Sequence, residues 1–323
     1  RMIQYFPSDY HFYPRTFLIP EDQILAEQCA QELTEKTTYI VKPSYGAQGT
    51  GIYLCQDLRR ALQIAQNQLS IIQHYIPNPL LIEGYKFDLR IYVLVCSIDP
   101  LRIYVYNDGL VRICTERYVP PSSENLSKFY MHLTNYSLNK YSEKFEANTD
   151  ENDPSQGNKR SIEWLNEYLS QCPDTKYKFT NMWDKIDDMI IKTIIAMKGP
   201  LIVDYKSSFE RTNSEKYSDN SFHILGFDVL LDDNLDPWLI EVNNHPSMQT
   251  DSPLDFKIKK GVLQETFAIV GYDFLSTKRT REEYNSRMLK GMRLITTNQT
   301  SEQYQHLDLF ANEKLVQLFS TSC

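Results

Sequence analysis

Two carboxylates and an amide late in the chain have the spacing of a divalent-metal site. Residues 222–231 and 237–242 have the apolar, β-branched composition of two neighbouring strands joined by a short acidic turn. Strand alternation puts Glu241 and Asn243 on one face, and Asp228 on the antiparallel neighbour can face them. Such oxygen ligands suit Mg²⁺. The pattern therefore predicts a magnesium site, although half-buried strands with a solvated polar face show the same alternation.

A glycine-rich segment could cradle phosphate groups. Residues 43–51 (PSYGAQGTG) follow Lys42, which ends a short apolar strand. Backbone N–H groups in such a turn bind phosphate oxygens, and the lysine supplies charge. The segment is not a Walker loop, because no Gly-Lys-Ser/Thr closes it, and the chain lacks the His-Arg-Asp and Asp-Phe-Gly motifs of protein kinases. A glycine-rich hairpin without a ligand fits the same residues.

A cationic strand supplies the third group. Lys86, Asp88 and Arg90 alternate along an apolar strand and share a face, and Arg112 lies on the strand that follows. The row could be a surface salt-bridge ladder. If it faces a phosphate and a carboxylate substrate, the same row would bind both, since arginine makes bidentate contacts. Residues 132–137 (HLTNYS) add short polar side chains of the kind that line sites.

These groups must be positioned by a mixture of strands and helices. The residue patterns predict strands at 39–42, 52–54 and 87–95, helices at 57–69 and 183–197, and a hairpin of 101–106 and 110–113 turning at 107–109 (NDG). Residues 146–160 contain almost no apolar side chain, and this composition predicts a mobile insertion loop.

Composition excludes several classes of protein. With 323 residues and 41% hydrophobic content, the chain can form two or more packed lobes. A net charge of −8 argues against a nucleic-acid-binding protein. No apolar run reaches the roughly 20 residues of a membrane span. The six cysteines are scattered without a CxxC pair, which favours reduced thiols over zinc or disulfides and a cytoplasmic location.

The last part of the chain has the opposite charge. Residues 278–293 carry six basic residues against two acidic ones, a net charge of +4. This segment predicts a basic helix on an acidic protein, which would be either a solvated surface helix or a ligand for an acidic partner.

The motifs, taken in order, resemble a known family. Four blocks between about residues 10 and 275 resemble the tubulin tyrosine ligase-like family of the ATP-grasp superfamily, namely residues 39–43 (YIVKP), 86–95 (KFDLRIYVLV), 132–137 (HLTNYS) and 238–243 (WLIEVN). The resemblance implies an α+β ATP-grasp fold, in which two lobes with antiparallel sheets and packed helices close on the nucleotide. It divides the chain into a central lobe (1–76), a C-terminal lobe (77–276) and a basic helical extension (277–323). The family's N-terminal lobe is expected to be absent.

The resemblance also implies a role for each motif residue. The ATP-binding set is Lys42, Ser44, Gln48, Gly49, Gly51, Gln73, His74, Ile76, Lys86, Asp88 and Asn135. In this set the two lysines contact phosphates, the glycine loop covers them, and Gln73 with the backbone of His74 and Ile76 holds adenine.

The remaining motif residues are expected to act on metal and substrate. The resemblance makes Asp228, Glu241 and Asn243 the Mg²⁺ ligands. Arg90 and Arg112, with Lys86, form the catalytic set that binds substrate carboxylates and the developing oxyanion. Asp88 is expected to orient Lys86 or Arg90.

The polyglutamylase branch of the family is the most similar. Residues 247–255 (SMQTDSPLD), the insertion near residue 150 and the basic segment resemble that branch. The resemblance implies a monomer that adds free glutamate to tubulin tails on microtubules. It implies a location in the cytoplasm and cytoskeleton, with the cilium or flagellum as a further expectation. Gln48 favours chain elongation, whereas Asn244, standing where some elongating members carry histidine, leaves acceptor choice open. A glycine or tyrosine ligase, a ligase for another substrate and an inactive microtubule-binding module are the alternatives.

Overall fold

The chain folds around two antiparallel β-sheets. The computed structural model describes residues 2–32, 37–44, 49–65, 69–150, 153, 155–172, 181–209, 221–270, 291–296 and 303–310. The first sheet has the strand order β1-β4-β2-β3, and its strands are β1 (Thr16–Ile19), β2 (Tyr39–Pro43), β3 (Tyr53–Cys55) and β4 (Ser70–His74). The α+β class predicted from the sequence is confirmed.

The second sheet is larger and carries most of the polar motif residues. Its strands are β5 (Leu81–Ile82), β6 (Tyr85–Ile98), β7 (Leu101–Arg117), β8 (Lys159–Ser161), β9 (His223–Leu231), β10 (Pro237–Asn243) and β11 (Met292–Leu294). The main order is β10-β9-β6-β7-β11, with β5 paired to β6 and β8 paired to β7.

Helices cover both sheets. In chain order they are α1 (Met2–Tyr5), α2 (Gln23–Glu32), α3 (Leu58–Ala65), α4 (Phe129–His132), α5 (Tyr136–Asn139), α6 (Ile162–Gln171), α7 (Met182–Phe209), α8 (Pro253–Val270) and α9 (Gln305–Phe310). None of these helices is long and apolar enough to cross a membrane. The predicted division of the chain at residues 76 and 276 stays a prediction.

The central strand β6 has two different faces. Phe87 and Leu89 point into the core beneath α6 and α7. The other face begins with charged side chains and continues with Tyr92 and Leu94, which pack with α8. Because side chains alternate along a strand, Lys86, Asp88 and Arg90 lie on this same face. They line a cavity.

The predicted hairpin at residues 107–109 is wrong. β7 runs unbroken through this segment, and the chain reverses instead between β6 and β7. Val93 pairs with Val105 and Ile91 with Gly109, so three residues of β7 (106–108) lie opposite the single residue Tyr92 of β6 as a bulge. Asp108 explains the difference, because its Oδ1 accepts hydrogen bonds from the backbone N–H groups at the start of α6.

The predicted loop at 146–160 is wrong at its end. Lys159 belongs to β8, pairs with Arg112 of β7 and is buried. Asn148 is also buried, and Asn158 donates to the carbonyl oxygen of Ile113 at 3.2 Å. Hydrogen bonds hold this stretch in place. Composition did not predict this, because the stretch has almost no apolar side chains. Residues 151, 152 and 154 lie outside the described residues.

The predicted basic helix at 278–293 is tested only at its end. Residues 278–290 lie outside the described residues, and residues 292–294 form β11 and no helix. Arg293 on this strand donates to the Asp187 carboxylate of α7, with a shortest distance of 2.7 Å. One of the six predicted cations is therefore an internal ion-pair partner.

Candidate active site

The two sheets face each other across a cavity of about 640 Å³. The first sheet contributes β1, β2 and β4, and the second contributes β6, β7, β8, β9 and β10. Most of the sequence-predicted residues line it, namely Lys42, Ser44, Gly49, Gln73, His74, Ile76, Lys86, Asp88, Arg90, Arg112, Asn135, Asp228, Glu241 and Asn243. Gly51 is not among the lining residues, and Gln48 lies outside the described residues.

Lys42 enters the cavity from β2. Its Nζ donates to Gln73 Oε1 on β4 at 2.9 Å, and Gln73 Nε2 donates to Thr16 Oγ1 at 3.0 Å. Burial lowers the pKa of Lys42, while the carboxylates of Glu241 and Asp228 act to raise it. Gln73 therefore positions a cation, and both ends of its amide are already engaged by protein groups.

Lys86 is held by a chain of hydrogen bonds. Its Nζ donates to Tyr75 Oη and to the His132 carbonyl oxygen, both at 2.9 Å. The Tyr75 hydroxyl lies 3.0 Å from His132 Nδ1, and His132 Nε2 lies 3.1 Å from the Asn125 carbonyl. Because that carbonyl can only accept, Nε2 carries the proton and Nδ1 accepts from Tyr75. Burial lowers the pKa of Lys86 to about 8.

Two arginines and two aspartates form a buried ionic chain across β9, β6 and β7. Arg90 Nε donates to Asp228 Oδ1 at 2.5 Å, and Arg112 Nη2 lies 2.9 Å from Asp228 Oδ2. Arg112 also makes a bidentate contact with Asp88, with Nε to Oδ1 at 2.7 Å. Burial alone would raise the pKa of Asp228, but the two guanidinium groups outweigh it and hold that pKa below its usual range.

Asp88 does not have the partners predicted for it. It was expected to orient Lys86 or Arg90, yet its carboxylate binds Arg112 and accepts a hydrogen bond from Thr134 Oγ1 at 2.6 Å. The reason is register, because Asp88 stands directly opposite Arg112 on β7, whereas Lys86 and Arg90 are its neighbours along one strand.

The predicted metal ligands converge on one wall. Glu241 pairs in register with Asp228, and Asn243 Nδ2 lies 3.3 Å from Asp228 Oδ2. Among the described residues, Glu241 has no salt-bridge partner, and burial together with Asp228 raises its pKa. A divalent cation would offset this carboxylate. The donor set therefore fits Mg²⁺, with the difference that the Asp228 oxygens are shared with arginines.

The glycine loop approaches the cavity where its residues are described. Gly49 has a φ of +82°, and a Cβ added there would lie 2.6 Å from Leu138 Cδ1 of α5. Only glycine fits this left-handed, closely packed position. A Cβ added at Gly49 would also lie 3.6 Å from Cγ of Asn135. Asn135, just before α5, is therefore next to the loop.

Sequence analysis missed several cavity residues. Tyr75 acts through Lys86, and no local pattern connects the two. Thr134, which donates to Asp88, belongs to the 132–137 segment that was expected to line the site. Lys159, Asp255 and Lys259 also line the cavity. Lys159 was assigned to a loop, while Asp255 and Lys259 lie four residues apart on α8, a spacing that could have indicated a shared helix face.

Comparison with known proteins identifies the family. The model of the tubulin-tyrosine ligase family matches residues 1–282. The chain belongs to this family. Its ATP-grasp-like architecture agrees with the two antiparallel sheets described above.

Curated members of the tubulin-tyrosine ligase family resemble the chain over most of its length. It is 43% identical to tubulin polyglutamylase TTLL7 of Mus musculus over 267 residues, 81% of this chain and 28% of the relative. It is 45% identical to TTLL7 of Xenopus tropicalis over the same fractions. Tubulin polyglutamylase TTLL6 of Homo sapiens is 41% identical over 287 residues, 89% of this chain and 30% of the relative. The chain thus spans less than a third of these relatives' length.

Proposed function

We propose that the chain is the catalytic core of an ATP- and Mg²⁺-dependent ligase that adds free glutamate to tubulin tails. The observation that carries the proposal is the cavity wall, where Lys42, Lys86, Arg90 and Arg112 lie near a carboxylate, Glu241, that has no salt-bridge partner in the described residues. Four cations suit phosphates and carboxylates, and Glu241 suits a metal ion. The similarity to tubulin polyglutamylases supports glutamate as the amino acid added.

In this proposal the protein's own groups bind and orient the reactants. Lys42 and Lys86 neutralise ATP phosphates, and their positions are held by Gln73 and by Tyr75 with His132. Glu241, Asn243 and Asp228 would hold Mg²⁺, which supplies charge neutralisation during phosphoryl transfer.

The arginines would act on the carboxyl group that receives the new bond. Each is fixed by an aspartate, so little reorganisation is needed when negative charge develops on a carbonyl oxygen. The acceptor carboxylate is phosphorylated by ATP, and the amine of the added glutamate then displaces phosphate. The tubulin tail, the microtubule and a cytoskeletal location belong to the same proposal.

A labelling experiment with Glu241→Gln tests this function. Wild-type protein with Mg²⁺ and ATP should incorporate labelled glutamate into tubulin, and Glu241→Gln should reduce incorporation by about 100-fold or more because it removes a metal-binding charge. Glu124→Gln, an exposed glutamate outside the cavity, is the matched control.

Three outcomes would contradict the proposal. Incorporation of glycine or tyrosine alone would exclude a glutamate ligase. Equal activity of Glu241→Gln and wild type would exclude the metal site. Microtubule binding without ATP-dependent incorporation of any of the three amino acids would indicate a binding module.

A further inference from the structure

The ammonium group of Lys86 has three N–H donors, and the protein itself uses two of them. Nζ donates to Tyr75 Oη and to the His132 carbonyl oxygen, both at 2.9 Å, and it lies 4.2 Å from the centre of the Tyr75 ring. Within the described ranges this nitrogen makes no third hydrogen bond. Because Lys86 is buried and lines the cavity, one N–H is left for a ligand there.

The imidazole of His132 determines which way the Tyr75 hydroxyl donates. Oη lies 3.0 Å from Nδ1, and Nε2 of the same ring carries its proton toward the Asn125 carbonyl oxygen at 3.1 Å. Nδ1 is therefore an acceptor, and the single proton of the Tyr75 hydroxyl points to it. The lone pairs of Oη remain available to accept from the Lys86 ammonium.

No carboxylate among the described residues forms a salt bridge with Lys86. Burial lowers the pKa of Lys86 to about 8, Cys114 and Asp88 act to raise it, and Lys42 acts to lower it further. Burial raises the pKa of the Cys114 thiol to about 12, so this group is neutral near pH 7. The Asp88 carboxylate is already bound by Arg112. The two oxygens that accept from Nζ are therefore the direct support of its charge.

We propose that Tyr75 and His132 are positioning residues for phosphate binding, which keep Lys86 an ammonium ion and direct its one remaining N–H at a phosphate oxygen of the nucleotide. This inference rests on the ATP site of the proposed ligase and adds how that site retains a buried charge. Tyr75 acts on Lys86 directly, and the His132 side chain acts through Tyr75. No bond forms or breaks at either side chain.

Tyr75→Phe tests the hydroxyl, because phenylalanine keeps the ring beside the ammonium and removes only the acceptor. The ligand is the Mg²⁺ complex of the non-hydrolysable β,γ-imido analogue of ATP. Since the charged lysine is the form that binds phosphate, wild-type affinity should be full below about pH 8 and fall as pH rises further. Losing one hydrogen bond to a charged group should start this fall about one to two pH units lower in the variant.

Calorimetric titration between pH 6 and pH 9 measures this shift. Tyr75→Phe should bind the analogue about 10-fold more weakly than wild type at pH 8 and within about twofold of wild type at pH 6. Lys42, whose pKa burial also lowers, titrates in both proteins, so the difference between the two curves reports Lys86. Adenosine, which has no phosphate, should bind both proteins equally.

Tyr118→Phe is the matched control. It removes a hydroxyl that neighbours Tyr75 but donates its own proton to the Pro77 carbonyl oxygen at 2.7 Å. Because this hydroxyl gives Lys86 no acceptor, the variant should keep the wild-type pH dependence. Thermal unfolding at pH 7 checks that both tyrosine variants are folded.

Two substitutions of His132 test the imidazole. Both keep the backbone carbonyl that accepts from Lys86. His132→Leu removes the acceptor of the Tyr75 proton, and it should shift the pH dependence in the same direction as Tyr75→Phe by a smaller amount. His132→Asn can place an amide oxygen near the position of Nδ1, so it should restore most of the wild-type curve.

Nucleotide binding separates this inference from the ligase function. If wild type incorporates no glutamate but Tyr75→Phe shows the shifted pH dependence, the ligase proposal fails and the positioning role stands. Identical curves for Tyr75→Phe and wild type, an equal loss of affinity at every pH, or equal shifts in Tyr75→Phe and Tyr118→Phe would overturn the inference. Absence of nucleotide binding by wild type would overturn both.

Discussion

At the residue scale, cationic side chains of the cavity are positioned by neighbouring polar or acidic side chains. Gln73 positions Lys42, Tyr75 positions Lys86, and Asp88 positions Arg112. Buried charges are costly unless they are paired, and removing one partner of such a pair costs about 3–5 kcal/mol. The supporting residues therefore decide whether the cations can remain charged and correctly aimed at a ligand.

His132 predicts a pH dependence of stability. Burial and the charge of Lys86 lower the pKa of His132 to about 4, below the 6.5 of an exposed histidine. Between pH 4 and pH 6.5 the unfolded state binds more protons at His132 than the folded state does. The contribution of His132 to the free energy of unfolding is therefore fully present above pH 6.5 and is lost as pH falls toward 4. The shift corresponds to about 3 kcal/mol of unfolding free energy.

Urea unfolding at several pH values measures this contribution. The fall in the free energy of unfolding between pH 6.5 and 4 should be smaller in His132→Gln than in wild type by about 3 kcal/mol. His11→Gln, which changes an exposed histidine with no salt bridge among the described residues, is the control and should keep the wild-type fall. Parallel curves for wild type and His132→Gln would contradict the assignment of a neutral buried imidazole.

At the element scale, the bulge in β7 connects a helix to the site. Gly109 passes so close to β6 that an added Cβ would lie 2.4 Å from the Arg90 carbonyl oxygen. Beyond the bulge, Arg112 pairs with Asp88 on one side and Lys159 on the other. The extra residues of the bulge thus set which β7 side chains face the cavity, since a shift of one residue would turn Arg112 to the opposite face.

Asp108 stabilises this bulge by capping α6. Its Oδ1 accepts from the backbone N–H groups of Ile162 at 2.9 Å and Glu163 at 3.2 Å. Asp108→Ala should lower the free energy of unfolding by about 1–2 kcal/mol, measured by urea denaturation. Asp108→Asn keeps an acceptor oxygen and should cost clearly less. Equal losses in the two variants would show that charge, and not capping, is the main contribution.

At the scale of the whole molecule, charge is unevenly distributed. The chain carries a net charge of −8, while residues 278–293 carry six basic residues and two acidic ones. Arg293 is paired with Asp187, which leaves five cations of this segment without an assigned role. Tubulin tails are rich in acidic residues, so we propose this segment as the part that attracts them by long-range electrostatics.

Salt dependence tests that attraction. Microtubule co-sedimentation should weaken as ionic strength rises from about 0.05 to 0.2 M, because screening shortens the range of charge interactions. Arg281→Glu combined with Arg287→Glu should weaken binding by about 10-fold or more at low salt, and Ser286→Ala in the same segment should not. Binding that is insensitive to both salt and charge reversal would exclude an electrostatic role.

The sequence determined the parts of the site that depend on alternation along a strand. The two-residue period of β6 predicts that Lys86 shares a face with Asp88 and Arg90, and the pairing of consecutive strands β9 and β10 predicts that Asp228 can face Glu241. In the structure these side chains line the cavity. These are short-range relations, in which the neighbours along the chain or across a tight turn fix the geometry. The α+β class followed from the family resemblance of the motifs, taken in order.

Only the tertiary structure decided which distant groups meet. The partner of Asp88 depends on the register of β6 with β7, and the burial of Lys159 depends on β8 joining that sheet beneath α8. The Asn-Asp-Gly segment has the residues of a turn, yet contacts with α6 keep it in a strand. Local propensity is worth a few tenths of a kcal/mol to about 1 kcal/mol per residue, so pairing and packing between distant segments override it.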